Sequence, residues 1–342
     1  MDVEGKKILI TGATGFIGRN LLQRLSKIDK VKIYILVRPD SSIRPIEKFH
    51  FHKIVGDIAD SSSLLGLRRS LNQNKIEIII HAAARVSGSG GFREFQRINV
   101  QGTRNILEIS NSIPSIKRIV YISTITVYGD GAGHHHRIDE SAELKKSGMP
   151  YADTKVEAEK VISEYIVKTN LPITIVRPGE VLGYDSVWLT PPINLIKSGR
   201  MFLVDKGRGL MNFIWIDDLI EAIILVIRED LAVGKSYNIT YGETVTFGKY
   251  FTDLCCMLNR PKPKSMPLSL GIFVALLSEF FAKISGIKTE RTRHVIRYLV
   301  TKRSISNKKA LQELGWKPRF DYDHILKAIN GYLKHEEVEK VK

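Results

Sequence analysis

One short run limits what this chain can fold into more than any other: Gly12-Ala13-Thr14-Gly15-Phe16-Ile17-Gly18. It follows the apolar stretch Ile8-Leu9-Ile10 after one residue, Thr11, and precedes an amphipathic stretch carrying Leu21, Leu22 and Leu25. A strand that turns on glycines into a helix is the arrangement of a dinucleotide site. One glycine permits the sharp turn, one lets the backbone approach a pyrophosphate, and one lets the helix pack on the strand. The first helical turn then offers free N–H groups and a partial positive charge to the phosphates. The spacing is G-x-x-G-x-x-G rather than G-x-G-x-x-G. A lone glycine pattern can equally be a tight turn; the flanking strand and helix favour the dinucleotide reading.

The rest of the chain repeats the strand-then-helix rhythm. Strand-like runs fall at 7–10, 31–37, 52–55, 76–80, 118–122 and 173–176, with helical patterns at 16–27, 61–71, 92–112 and 151–169. Alternation of this kind, with β-branched strands, predicts an α/β fold: a doubly wound parallel sheet covered on both faces, of the Rossmann type. After Arg177-Pro178-Gly179 the rhythm loosens, and it returns with a strand at 213–216, a helix at 217–228 and a strand at 236–240. The expected organisation is a nucleotide-binding domain over 1–178, joined by about 213–240. A smaller, mainly helical C-terminal substrate lobe takes 179–212 and 241–330, and 331–342 forms a charged tail.

The 342 residues are 43% hydrophobic and carry a net charge of +16. That charge suits nucleic acid, an anionic membrane face, or an anionic cofactor and substrate. No helix-turn-helix, zinc spacing or aromatic RNA motif accompanies it, so nucleic acid is not expected and a membrane surface is the stronger reading. The two cysteines are the adjacent pair Cys255 and Cys256, which close no useful loop. With the first strand starting close to Met1, a cytoplasmic protein without a leader, peripheral at a membrane if attached at all, is the expectation. Both cysteines are expected to be small buried hydrophobes.

Tyr151-Ala152-Asp153-Thr154-Lys155 sets a phenol and an ammonium four residues apart, on one face of a helix start. A phenol has an ordinary pKa of about 10, and a nearby cation lowers it far enough for acid/base work. Such a tyrosine exchanges a proton with a substrate oxygen while hydride moves to or from a nicotinamide. Ser123-Thr124 follow the strand 118–122. A hydroxyl at the C-terminal end of a parallel strand points into the crevice where ligands bind.

These pieces, in this order, resemble the extended short-chain dehydrogenases/reductases, the superfamily of NAD(P)-dependent epimerases, dehydratases and 3β-hydroxysteroid dehydrogenases. The matching stretches are Thr11-Gly12, Gly15, Gly18, Gly56-Asp57, His81-Ala82-Ala83-Ala84, Asn99-Val100-Gln101-Gly102-Thr103, Ser123-Thr124, Tyr151 with Lys155, Arg177-Pro178-Gly179 and Trp215-Ile216-Asp217-Asp218-Leu219, with an echo in Leu314-Gly315-Trp316-Lys317-Pro318. The resemblance implies a catalytic triad of Thr124, Tyr151 and Lys155. It places Gly12, Thr14, Gly15, Phe16, Ile17 and Gly18 against the cofactor, Asp57 and Ile58 at the adenine, and Ala82, Ala83 and Ala84 along its ribose and phosphates. Asn99 supports the site from its helix, Lys155 also holds the nicotinamide ribose, and Pro178 and Gly179 back the nicotinamide. It also implies a homodimer paired through helices flanking the tyrosine.

Arg38 stands about 20 residues past the glycines, where NAD enzymes place an acidic residue on the ribose hydroxyl. An arginine there suits a 2′-phosphate and favours NADP over NAD, with Arg19 as a helper and Asp40 as a carboxylate that a loop shift would bring back. Sugar-nucleotide members carry an arginine just before the stretch matching Phe213–Asp217; here that place holds Met211-Asn212, with Arg208 nearby as a substitute. The expected reaction is hydride transfer at a secondary alcohol or ketone of a largely apolar, steroid- or isoprenoid-like substrate. The alternative is a nucleotide-sugar epimerase/dehydratase with tightly bound NAD. The apolar segment 267–281 has three readings: a helix buried in the second lobe, a lid over an apolar substrate, or a helix at a membrane interface. His134-His135-His136 reads as an exposed or substrate-lining loop, and no metal is expected.

Overall fold

The structure, a computed structural model, describes residues 1–87, 91–129, 137–285 and 292–341. Its frame is a sheet of β1 (Lys7–Thr11), β2 (Lys32–Val37), β3 (His52–Val55), β4 (Ile78–His81), β5 (Arg118–Ile122), β6 (Ile173–Pro178) and the later β11 (Ser236–Ile239). All seven pair in parallel, in the order β11-β6-β5-β4-β1-β2-β3. The near-continuous apolar strands are explained by burial on both faces. Ile8 and Ile10 join Ile33, Ile35, Ile78 and Ile80 in one core beneath α1 (Phe16–Leu25) and α7 (Ile216–Arg228). Leu9, Tyr34, Ile79 and Tyr121 point the other way, into a core closed by α2 (Ser61–Gln73), α4 (Gly102–Asn111) and α5 (Pro150–Thr169). The strand order reverses between β1 and β4, and ligands of such sheets bind outside the carboxyl ends at that point.

The pattern at 92–112 predicts a single helix. The structure has α3 (Gly91–Gln96), a π-helical turn over Arg97–Gln101, and then α4. The Thr103 hydroxyl bonds the Asn99 carbonyl at 2.6 Å, and the Asn99 side chain is pulled toward the loop after β4. A π-turn widens the helix where such side-chain bonds compete with the regular ladder.

The second lobe carries α6 (Thr190–Lys197), α8 (Phe247–Met257), α9 (Leu268–Ser285) and α10 (Arg293–Tyr298). It is stitched by short pairs that no periodicity could announce. β7 (Glu180–Leu182) pairs with β10 (Phe213–Trp215), β8 (Phe202–Val204) with β13 (Lys264–Met266), and β9 (Leu210–Met211) with β12 (Val245–Thr246). The strand expected at 213–216 therefore belongs to a side pair, not to the main sheet. The chain returns through α11 (Lys308–Leu314) and α12 (Tyr322–Val341), and Leu333 of α12 is buried in the first core. Cys255 is buried as expected, whereas Cys256 is exposed because it lies on the outer side of α8.

The segment 267–281 is not a buried helix. Among the described side chains of α9 only Gly271 and Ala275 are fully buried, while Phe273, Phe280 and Phe281 are 57%, 60% and 63% exposed. Among the described residues, no helix is long and apolar enough to cross a membrane. The triple histidine 134–136 lies outside the described residues.

Candidate active site

The residues singled out in the sequence gather at the carboxyl ends of six neighbouring strands. Gly12 follows β1, Arg38 follows β2, Asp57 and Ile58 come just after β3, Ala82–Ala84 follow β4, Thr124 follows β5, and Pro178 closes β6. Gly12 has φ +72°, and a Cβ there would lie 2.7 Å from the Ala83 nitrogen. At Gly18 a Cβ would meet the Gly12 carbonyl oxygen at 2.1 Å. Gly12 thus lets the β1 and β4 loops touch, and Gly18 lets α1 sit on the turn. Gly15, where a Cβ would lie 3.3 Å from the Gly12 carbonyl oxygen, is exposed and begins α1 without a side-chain cap. The free N–H groups of that first turn, beside bare glycine backbone, fit a pyrophosphate.

A buried hydrogen-bond chain fixes the β1–β4 junction, and sequence reasoning assigned its members no role of this kind. Thr103 donates to the Asn99 carbonyl, so its oxygen is left to accept from His81 Nε2 at 3.1 Å. His81 Nδ1 is then the acceptor for the Thr11 hydroxyl at 2.7 Å, and Thr11 Oγ1 accepts the Ala83 N–H at 3.2 Å. Burial, with the Lys155 charge nearby, pulls His81 down to about 3, so the ring is a neutral strut. Asn99 is a second strut. Its Oδ1 accepts from the Arg85 N–H at 2.7 Å, and its Nδ2 donates to the Arg85 carbonyl and to Thr154 Oγ1, both at 3.0 Å. It ties the loop after β4 to α5.

Tyr151 lies in the first turn of α5, whose start is set by Pro150 and by Asp153. The Asp153 carboxylate accepts the N–H groups of Ser147 and Gly148 at 2.8 and 3.2 Å, which orients the incoming loop. Burial pushes the Tyr151 phenol up to about 12, with the neighbouring Thr124 hydroxyl pulling the other way. Thr124 itself caps a single 3₁₀ turn, Ile125–Tyr128, by accepting from the Thr126 N–H at 3.2 Å. Lys155 differs from expectation. It shares the helix face with Tyr151, but its Nζ bonds the Ile122 carbonyl at 2.7 Å and the Tyr121 hydroxyl at 3.1 Å. Burial brings this amine down to about 7, with Glu159 opposing. The strand end offers a fixed acceptor to an otherwise unsatisfied buried ammonium, which explains the choice of partner.

Below this trio lies a buried ion pair. Arg177 reaches both oxygens of Glu159, at 2.6 to 3.1 Å, and its Nη1 donates to the Tyr128 hydroxyl at 2.8 Å. Glu159 also accepts from Ser123 at 2.5 Å. Gly179 is pressed against the Asn212 backbone, and the Asn212 side chain is committed to the Arg303 carbonyl and the Ile305 N–H. Arg208 stands at the surface 3.7 Å from Asp205. Arg38 is exposed, 3.4 Å from Asp40, and Arg19 pairs instead with Asp185 at 3.2 Å.

The family described as "NAD dependent epimerase/dehydratase family" matches residues 8–240, the whole span of this sheet and its site. The chain belongs to the NAD-dependent epimerase/dehydratase family. This family assignment makes it an enzyme of a nicotinamide-using class, as the ordered motifs implied. Within the family it is 30% identical over 260 residues to a dTDP-D-glucose 4,6-dehydratase of Dictyostelium discoideum, a match covering 70% of this chain and 59% of that relative's length. It is 26% identical over 331 residues to the 4-hydroxy-2-methyl-3-oxo-4-farnesyl-3,4-dihydroquinoline-1-oxide ketoreductase of Stigmatella aurantiaca, covering 94% of this chain and 95% of the other. The fold is also that of the dTDP-glucose 4,6-dehydratase of Bacillus anthracis in complex with NAD, with a TM-score of 0.77 at 20% identity over 97% of this chain and 98% of the other.

Proposed function

We propose that this family member is an NADP-preferring oxidoreductase acting on a secondary alcohol or ketone of a largely apolar substrate. The observation that carries the chemistry is the buried Tyr151 phenol beside Thr124 at the carboxyl end of β5, with the buried Lys155 amine four residues along α5. The nicotinamide, when bound, supplies or accepts the hydride. Gly12 to Gly18 hold the pyrophosphate, Asp57 and Ile58 border the adenine, Ala82 to Ala84 line the middle of the crevice, and Pro178 with Gly179 form its back wall. In the reductive direction Tyr151 Oη gives its proton to the carbonyl oxygen as hydride reaches the carbon, and an alcohol leaves. Thr124 holds that oxygen in place. Lys155, in its protonated form, supplies the charge that stabilises the tyrosinate left behind.

Two observations support an apolar substrate. The place where a diphosphate-gripping arginine is expected holds Met211, which is buried, and Asn212, which is already bonded within the fold. The Stigmatella relative is named as a ketoreductase of a farnesylated quinoline. The nucleotide-sugar reading is favoured in turn by the name of the Dictyostelium relative. Arg38, exposed at the end of β2, supports NADP. A homodimer paired through α4 and α5 follows the family pattern. The deciding test is a fluorescence titration with NADPH and NADH. The expected result is reversible, NADPH-preferring binding that Arg38→Ala reduces by about tenfold. Stoichiometric NAD retained through purification overturns the NADP reading and turns the assignment to an epimerase or dehydratase.

A further inference from the structure

Helix α9 is amphipathic in the wrong sense for a helix of a soluble lobe. Its two inward residues, Gly271 and Ala275, are small, and a Cβ on Gly271 would touch Val204 and Ile296 at 3.3 to 3.4 Å. Its large residues point outward: Leu270, Phe273, Leu277 and Phe280 are 42 to 60% exposed. Spaced three and four apart, they form one stripe. The carboxylate on the helix, Glu279, is covered by Arg293, whose N–H and side chain reach it at 2.8 and 3.4 Å. An apolar face of this extent on a soluble protein marks a contact surface.

The charge around it says what the contact is with. Among the described side chains from 254 to 302, six cations, Arg260, Lys262, Lys264, Arg293, Arg297 and Lys302, are exposed, against the single carboxylate of Glu279. Arg260, Lys262 and Lys264 are exposed in the approach to α9, and Arg297 is exposed on α10, the helix packed against it. A second copy of the chain would bring the same cations face to face across a two-fold axis, which is repulsive. An anionic bilayer complements them while the phenylalanines and leucines enter the headgroup boundary.

We propose that α9, with this cationic collar, docks the protein on an anionic membrane surface without crossing it. The docking face is joined through α10 to the loop before Tyr151. On α10, the His294 ring lies 3.5 Å from where a Cβ on Gly148 would stand, three residues before Tyr151. The docked protein therefore holds the loop that leads into Tyr151 close to the lipid boundary, where an apolar alcohol or ketone is dissolved. The surface itself is argued independently of the substrate.

Vesicle flotation of the full-length protein tests this, with neutral phosphatidylcholine vesicles against vesicles containing roughly a third phosphatidylglycerol. Wild type is expected to float with the anionic vesicles and to be released by salt. Phe273→Ser with Phe280→Ser is expected to lose about tenfold or more of that binding. Lys262→Gln with Lys264→Gln is expected to weaken it and flatten its salt dependence. Both variants are expected to quench NADPH fluorescence as wild type does, which shows them folded. Wild type that stays below the anionic vesicles, or a phenylalanine variant that floats equally well, overturns the proposal. So does a dimer in sedimentation velocity that the phenylalanine variant splits, since the face then belongs to a second copy. Vesicle binding without turnover of apolar carbonyls leaves the docking surface standing and retires the substrate reading alone.

Discussion

Tyr151 and Lys155 sit one helical turn apart, yet burial moves them in opposite directions, the phenol up to about 12 and the amine down to about 7. Each change disfavours the charged form, so the resting pair is close to neutral. The phenol keeps its proton across the working range, as a proton donor in reduction must. Tyr151→Phe is expected to lower turnover by about a thousandfold or more while NADPH binding is retained; activity left at wild-type level sinks the assignment. Lys155 also carries a stability signature. In the unfolded chain its amine titrates at 10.5, against about 7 when folded. Between those values the unfolded chain binds the extra proton, so stability rises with pH across that window and the contribution is lost as pH falls through the folded value. In cofactor-free protein, Lys155→Met is expected to remove about 2 kcal/mol of the gain in urea stability between about pH 7 and about pH 9. An unchanged slope shows that the amine is not buried neutral.

At the scale of elements, the β1–α1 turn and the β4 loop are built as one piece. Gly12→Ala forces an alanine to φ +72° with its Cβ 2.7 Å from the Ala83 nitrogen. A loss of about 2–4 kcal/mol in unfolding free energy and of dinucleotide binding is expected, read by thermal melts and NADPH quenching. Most of this level was legible in the chain. The glycine run, the apolar strands and the Thr124, Tyr151 and Lys155 motifs each obey a local rule of spacing. What was not legible came from partners far apart. The Thr11–His81–Thr103 chain spans more than 90 residues, and no periodicity links its members. The π-turn at Arg97–Gln101 reads as ordinary helix because the distant partners of Asn99, which lies within it, leave no local mark in the sequence. Helix α9 misled for a simpler reason. Apolar content predicts burial, and only the positions of Gly271 and Ala275 reveal that the bulky side chains face out.

Across the whole molecule, the two halves meet on buried polar groups rather than on apolar surface alone. Trp316 donates to the Asp218 carbonyl at 3.1 Å, and the Asp218 carboxylate accepts the N–H groups of Arg319 and Phe320 at 2.9 and 3.0 Å. Two stretches that looked like separate family signatures are therefore one clasp. The Arg177–Glu159 pair sits beneath the active site in the same manner, with Glu159 only 1% exposed. Arg177→Met strands that carboxylate and is expected to cost about 3–5 kcal/mol in urea unfolding. Restoring apolar symmetry with Glu159→Met in the same chain should return most of it. A double variant as unstable as the single one shows that packing, not charge, is at stake. Cys256 adds a practical consequence. The chain has two cysteines, and one of them, Cys255, is enclosed, which leaves a single accessible thiol on the outer side of α8, a few residues before the cationic approach to α9. The unmodified protein thus carries its own attachment point for a dye or spin label, and its environment can be followed as the lobe meets a surface, without an engineered cysteine.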